Sequence, residues 1–391
     1  MTTTTGHAIV VGAGIGGLAA AVGLRRVGWD VTVLERAAEL GEVGAGMSQA
    51  PNAMRALAEL GVADQARAVG VPTGSTGNLR RPHGRYLQRA RPGDPLALLG
   101  FHRADLHRVL LDAVPADRVR TGVEVTDVRQ DDAGVTVVAG GTEHRGDLVV
   151  GADGIRSAVR GRLWPDARPP RYLGRTAWLG VVDVAGLPGD LTGSVTLGQG
   201  RMFLIHPVAR HRAYWALLTT ELAPGVRYDD ERGAALAHVG GWHEPVPDLV
   251  RATPAGAVLR TDIHELPPLT TYVRGRAVLL GDAAHAMSPD RGQGAGHSLE
   301  DAVVLAHALA TAGTVEAALA RYDAERRPRD QATARGARRD GAMTASRAGQ
   351  AVTTAMIRLM PAALWRKGVE PDGNPTWRWQ PPRLPVVPRT S

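Results

Sequence analysis

The alternation of apolar and polar positions opens on a short apolar run, Ala8–Val11, of the length and type of a buried strand. The glycine turn Gly12-Ala13-Gly14-Ile15-Gly16-Gly17 follows, then a helical pattern from Leu18 to Val27 and a second strand run, Val31–Leu34, closed by Glu35. Helical spacing returns at Ala53–Leu60 and at Arg103–Val114, where Leu106, Val109, Leu110 and Val114 share one side. Leu79–Arg91 predicts an arginine-rich hairpin turning at His83-Gly84, and Val123–Val128 with Val135–Val138 predicts another. Asp147–Val150 reads as a strand that runs into the Asp153-Gly154 turn and a helix starting within Arg156–Arg160. From Arg171 to about Thr271, β-type runs dominate (Thr176–Val184, Ser194–Leu197, Arg201–Ile205, Tyr214–Thr219), and only Asp229–Trp242 reads as helical. Ala277–Leu280 is again a strand run, followed by a glycine loop and the helix Ser298–Ala312. Val315–Arg326 and Gln331–Ala348 read as helices split by Pro328, and Pro371–Pro388 as an extended tail.

This order predicts an α/β fold. A Rossmann-like domain would be assembled from residues 1–75, 100–165 and 275–330. Residues 76–99 and 166–274 would form a smaller, mainly antiparallel β-sheet domain, and 331–391 the C-terminal helices and proline-rich tail. A chain of 391 residues with 44% hydrophobic and 22% charged residues can bury a sizeable core. The absence of cysteine removes disulfides, thiolate metal sites and thiol catalysis together. Lys367 is the single lysine, so 45 of the 46 basic residues are arginines. The net charge of +7 is spread along the chain without a basic run or a nucleic-acid motif, which favours a solvated surface over a nucleic-acid partner. Met1–Gly6 lacks a basic region followed by an apolar one, and the apolar stretch Ala8–Leu24 is broken by five glycines. Neither a signal peptide nor a membrane partner is expected, and a cytoplasmic monomer or homodimer is.

Two stretches carry chemistry. The first is the βαβ fingerprint. In it Gly12 permits the tight turn, Gly14 lets a pyrophosphate approach the backbone, and Gly17 lets helix and strand pack closely. Glu35 lies 18 residues beyond Gly17, where it can accept both ribose hydroxyls and so favours a nucleotide without a 2′-phosphate. The second is Arg276–Ala302, in which a strand end meets Gly281-Asp282, Pro289, and glycines at 292, 294 and 296 before a helix. Backbone N–H groups near Gly294 and Ala295 would point at a ligand that is or becomes negative. Asp282 would suit a polyol hydroxyl, or it would merely cap the connection. Arg103 sits at a helix start, against the dipole, and reads either as a phosphate contact or as a surface arginine.

Taken together, the GxGxxG turn with Glu35, the Asp153-Gly154 turn, and Gly281-Asp282 followed by Pro289 and Gly292-Gln293-Gly294 resemble the class A flavin-dependent aromatic hydroxylases, the group of p-hydroxybenzoate and salicylate hydroxylases. The likeness covers roughly residues 7–330. It implies FAD, with Gly12, Gly14, Ile15, Gly16, Gly17, Glu35 and Arg36 at its ADP half and Arg103 contacting the cofactor. It further implies Val125 at adenine, Asp153 at the second turn and Asp282 on the ribityl chain. Gly292, Gly294 and Ala295 would meet the flavin pyrimidine edge, and Gly44–Gly46 would be the loop that the isoalloxazine passes. NADPH or NADH would be the reductant, O₂ the co-substrate, and a C4a-hydroperoxide of the flavin the oxygen donor to a small aromatic or polycyclic substrate. No metal is implied.

The substrate side is less defined. A phenol reacts faster as phenolate, so a base near the ring would help. Arg201, His206 and Tyr214 lie on candidate strands, and Pro289, in the loop after Asp282, is a further catalytic candidate. Arg201 and His206 are an odd number of residues apart, so at most one of them faces the pocket on a regular strand. Rival readings are a related flavoprotein oxygenase of Baeyer–Villiger or antibiotic-modifying type and a non-catalytic FAD-binding regulator. A halogenase would need an active-site lysine, for which Lys367 is badly placed, and a disulfide reductase would need cysteines.

Overall fold

The computed structural model describes residues 5–41, 45–73, 78–89, 98–185, 193–220, 223–361, 364, 370, 373–385 and 387. Gly44, Arg91 and Lys367 therefore lie outside the described residues. The first apolar run becomes the strand His7–Val11, buried on both faces as a parallel sheet requires. It stands in a six-stranded sheet in the order Val273–Arg274, Ala277–Leu279, Leu148–Gly151, His7–Val11, Asp30–Leu34, Val119–Arg120. All neighbours are parallel except the first pair. Helix α1 (Ile15–Arg26) packs against helix α2 (Gly294–Thr311), so the first and last nucleotide motifs of the sequence share one core. A seven-stranded sheet runs Leu259–Glu265, Arg171–Asp183, Arg212–Thr219, Arg201–Ala209, Ser194–Gly198, Asn78–Arg80, Tyr86–Gln88. Its one face is covered by Glu231–Val239 and Val246–Ala252, around Trp178, Phe203 and Trp215.

Several elements differ from expectation. The strands Thr142–Gly146 and Leu259–Glu265 and the helix Val246–Ala252 were not legible in the pattern. Thr142–Gly146 reads TEHRG and is an exposed third strand on the hairpin 125–139, without apolar alternation to betray it. Pro328 does not split its region: Val315–Ala345 is one 31-residue helix, α3, with Pro328 inside it. Proline removes one helical N–H and costs about 3 kcal/mol in a helix interior. The residues on either side of it, Arg326 and Asp330, are fully buried in a charge network that holds the helix together. A further helix, α4 (Arg347–Leu359), follows at Ser346. The described part of the proline-rich segment is not a plain extended tail: residues 373–378 form turns, and the segment is docked, with Trp377 and Leu384 buried, Arg55 donating to the Trp379 carbonyl at 3.2 Å, and Leu384 N donating to Glu59 at 3.1 Å.

Candidate active site

Two cavities lie end to end along the parallel sheet and share Gly14, Ala152 and Gly154 as common walls. The smaller, of about 250 Å³, is lined by Glu35, Arg36, Val125, Asp153 and Arg156 among others. The larger, of about 370 Å³, runs between the starts of α1 and α2 to the seven-stranded sheet, where His206 and Tyr214 close it. Residues from both ends of the sequence thus form one long groove.

Backbone geometry explains the glycines. Gly12 has φ +102°, and a Cβ there would also meet the Ala152 carbonyl oxygen at 2.5 Å. A Cβ on Gly17 would meet the Gly12 oxygen at 1.9 Å, which fixes the close helix–strand approach. Gly14 differs in kind: a Cβ there meets nothing within 4 Å, so the space it keeps open is the groove itself. The same holds at Gly294, the first residue of α2. Neither α1 nor α2 has a side-chain cap or an acidic residue in its first turn. Their N-terminal N–H groups are left for a ligand, which by the dipole should be anionic.

Glu35 accepts from Ala13 N at 2.8 Å and Ala37 N at 2.9 Å, which holds its carboxylate at the groove. Arg36 is exposed at the same end, and Val125 begins a strand beside it. Asp153 spends one oxygen on the N–H groups of Ala158 (2.6 Å) and Val159 (3.1 Å), while its buried Oδ1 has no partner. Burial pushes its carboxyl up despite those bonds. Asp282, Pro289, Gly292 and Ala295 all line the large cavity, as do Ile15 and Gly16. Arg103 also opens into this cavity; burial lowers its pKa, against the pull of Asp282 and Tyr214.

At the far wall His206 pairs with Tyr214 across neighbouring antiparallel strands, which sets both side chains on one face. Tyr214 lies directly against Gly46, where a Cβ would come within 2.2 Å of the tyrosine Cβ. His206 is buried, its Nδ1 has no hydrogen-bond partner, and burial alone lowers its pKa to about 4, so the imidazole is neutral. Arg201 is not brought to this wall. Its guanidinium donates to Gln199 at 3.0 Å and to the His238 carbonyl at 3.2 Å, on the opposite face that the odd spacing foretold. Leu204, Met47 and Met287 complete the chamber and were not singled out in the sequence. Leu204 had a usable signal, since it lies two residues before His206 on the same strand face.

Behind α2 lies a buried ionic network that sequence reasoning also missed. Arg326 donates to Glu300 (2.6 Å), Asp301 (2.7 Å) and Asp330 (2.6 Å), all fully buried. Asp301 also accepts from His285 at 2.7 Å and from Gly281 N at 2.9 Å, which ties α2 to the turn carrying Asp282. Glu300 accepts from Asn52 at 2.7 Å, and Asn52 donates to Gln293 at the start of α2. Burial would push the Asp301 carboxyl up, but His285 and Arg326 hold it well below the usual carboxylate range. Glu300 is likewise held at about 2 against burial, by Arg326 and Arg329. His285 rises to about 9 because Asp330 and Asp301 outweigh its burial. The network fixes where the N-terminus of α2 points.

The groove fits FAD. Two adjoining cavities, two uncapped helix starts, a carboxylate at one end and two glycines that keep space open match a dinucleotide with a flat ring at one end. The FAD binding domain family matches residues 5–337. The aurachin C monooxygenase/isomerase of Stigmatella aurantiaca is 42% identical over 327 residues, covering 81% of this chain and 84% of that protein. The FAD-dependent urate hydroxylase of Klebsiella pneumoniae is 36% identical over 335 residues, covering 82% and 85%. Among solved structures, Klebsiella pneumoniae HpxO complexed with FAD and uric acid superposes with a TM-score of 0.85 at 31% identity, covering 94% of this chain and 96% of that one. The chain belongs to the FAD-binding family of aromatic monooxygenases, and it is a FAD-dependent monooxygenase. Gly12, Gly14 and Glu35 line the smaller cavity, and Asp282, Gly294 and Ala295 the larger.

Proposed function

We propose that this monooxygenase hydroxylates a small, uncharged, electron-rich aromatic ring bearing a phenolic or ring N–H group, with NAD(P)H as reductant. FAD, when bound, accepts reducing equivalents from the nicotinamide and activates O₂ for transfer of one oxygen atom. The chain does the rest. The start of α2 offers N–H groups and its dipole to negative charge that develops on the ring system beside Gly294. Tyr214, Met47, Leu204 and Met287 exclude water from the chamber, which keeps oxygen transfer from leaking away.

The observation that carries the substrate assignment is His206. It is a neutral imidazole in the chamber wall whose Nδ1 is shut off from the cavity, so Nε2 is the nitrogen left to accept a hydrogen bond from the ring's O–H or N–H. Among the described lining residues Arg103 is the one cation, and Asp282 stands close enough to pull on its charge. A substrate carboxylate would therefore compete with a resident one. The absence of a second GxGxxG in the sequence supports a nicotinamide that docks transiently at the groove mouth.

The test is NAD(P)H oxidation and product formation across paired phenols with and without a carboxylate. Uncharged phenols should stimulate both, and His206→Ala should lower product formation by about 10²-fold or more. Equal use of carboxylated and uncharged rings, or an unaltered His206→Ala enzyme, would overturn the assignment.

A further inference from the structure

Helix α4 is packed with its polarity reversed. Its buried face carries Gln350 and Thr354 beside Ile357. Gln350 donates to the carbonyls of Arg201 (2.9 Å) and Thr344 (2.7 Å) and accepts from Gly200 N (3.0 Å). Thr354 accepts from Arg81 at 3.0 Å. The outward face is Ala348, Ala351, Val352, Ala355, Met356 and Leu359, all exposed. Val352 is 53%, Met356 56% and Leu359 84% exposed, at helical spacing, and Leu364 just beyond is 59% exposed. These are four of the six large apolar side chains exposed among the described residues. Such exposure is concentrated, and scattered exposure is what needs no explanation.

The charges around this face indicate what covers it. The sequence contains no Asp or Glu between Asp340 and Glu370, while Arg347 and Arg358 stand on α4 itself, both exposed. The hairpin 78–88 that α4 packs on has no acid; Arg80 and Arg81 are half-buried and engaged by Tyr86 and Thr354, while Arg85, and Arg89 just beyond, are exposed. Asp340, where the acid-free stretch begins, is engaged by Arg291 at 2.7 Å. Glu244, beside the hairpin turn through the bond from His243 N to the Pro82 carbonyl, faces Arg251 at 4.0 Å. A second copy of the same face would set arginine against arginine. A bilayer with anionic headgroups would take the apolar side chains at its acyl boundary and the arginines at its phosphates.

We propose that this face of α4, with Arg347 and Arg358 on the helix itself and the exposed Arg85 and Arg89 of the hairpin, docks the enzyme peripherally on an anionic lipid surface. This departs from the expectation of no membrane partner. It is compatible with the observation that no helix among the described residues is long and apolar enough to cross a membrane. The docking is independent of what the active site oxidises.

The test is co-sedimentation of the full-length, FAD-loaded protein with vesicles of phosphatidylglycerol and phosphatidylcholine, against vesicles of phosphatidylcholine alone. Both Met356 and Leu359 are solvent-facing, so a Met356→Glu/Leu359→Glu double variant should keep its FAD content and melting temperature. Wild type should bind the anionic vesicles, lose them as salt rises, and exceed the double variant by about ten-fold or more. Arg358→Glu should give an intermediate loss. Failure of wild type to bind anionic vesicles would overturn the proposal. So would a stable wild-type dimer in solution that the double variant splits, because a second copy would then be the occupant.

Discussion

Replacing Arg326 by methionine tests the idea that a buried charge network aims the start of α2. The substitution keeps much of the apolar stem and deletes the guanidinium from between Glu300, Asp301 and Asp330, each within 2.7 Å of it. All four side chains have no solvent-exposed surface. Removing one partner of a fully buried pair costs about 3–5 kcal/mol, because the other charge stays desolvated and uncompensated. Three carboxylates share this cation, so the simple sum would be larger. It is limited by proton uptake, since burial already raises the Asp330 carboxyl and Arg326 is its main counterweight. About 4 kcal/mol is therefore expected. The assay is urea unfolding of the apoprotein followed by circular dichroism, with FAD affinity measured alongside on the folded fraction. A drop in midpoint at unchanged slope is expected, together with weaker FAD binding, because Asp301 holds Gly281 and Glu300 holds Asn52 at the cofactor end of α2. Arg326→Lys restores charge without the fork and should recover only part. A loss below about 1 kcal/mol for Arg326→Met would refute the reasoning, since it would mean the carboxylates are not held by this cation.

Two further outcomes follow from the same geometry. His285 has its folded pKa raised to about 9, so its contribution is complete below its ordinary value of 6.5 and lost as pH rises through 9; stability should decline over that window in wild type and not in His285→Gln, as thermal melts against pH would show. Gly46→Ala would set a Cβ 2.2 Å from the Tyr214 Cβ, an overpacking worth about 1–3 kcal/mol that should displace the chamber wall and show as lost substrate-stimulated NAD(P)H oxidation with FAD still bound.

The nucleotide half of the fold was legible because its signals are local. A strand, a glycine turn and a helix sit within 30 residues; Gly12 and Gly17 answer steric demands, and Gly14 keeps the groove open. Strand alternation correctly separated Arg201 from His206, because period two survives any tertiary arrangement. What could not be read depends on contacts far apart in sequence. His285, Glu300, Asp301, Arg326 and Asp330 look like ordinary charged helix positions until α2 and α3 are packed together. Pro328 misled for the same reason, since the network that sustains α3 across it is tertiary. Helix α4 went unread, the last expected helix ending at Ala348, because its polar residues face the protein and its apolar ones face away.

One FAD is expected to occupy the joined cavities through the space that Gly14 keeps open. Gly14→Val tests it most directly. Gly14 has φ −72°, and a Cβ there touches no protein atom, so the side chain would stand in the groove without disturbing the fold. Titration of the apoproteins with FAD, followed by flavin fluorescence, should give one FAD per chain for wild type. The variant should be equally stable without cofactor and about 100-fold or more weaker in binding it, the equivalent of roughly 2.7 kcal/mol. An equally stable Gly14→Val protein that binds FAD as tightly as wild type would contradict the account.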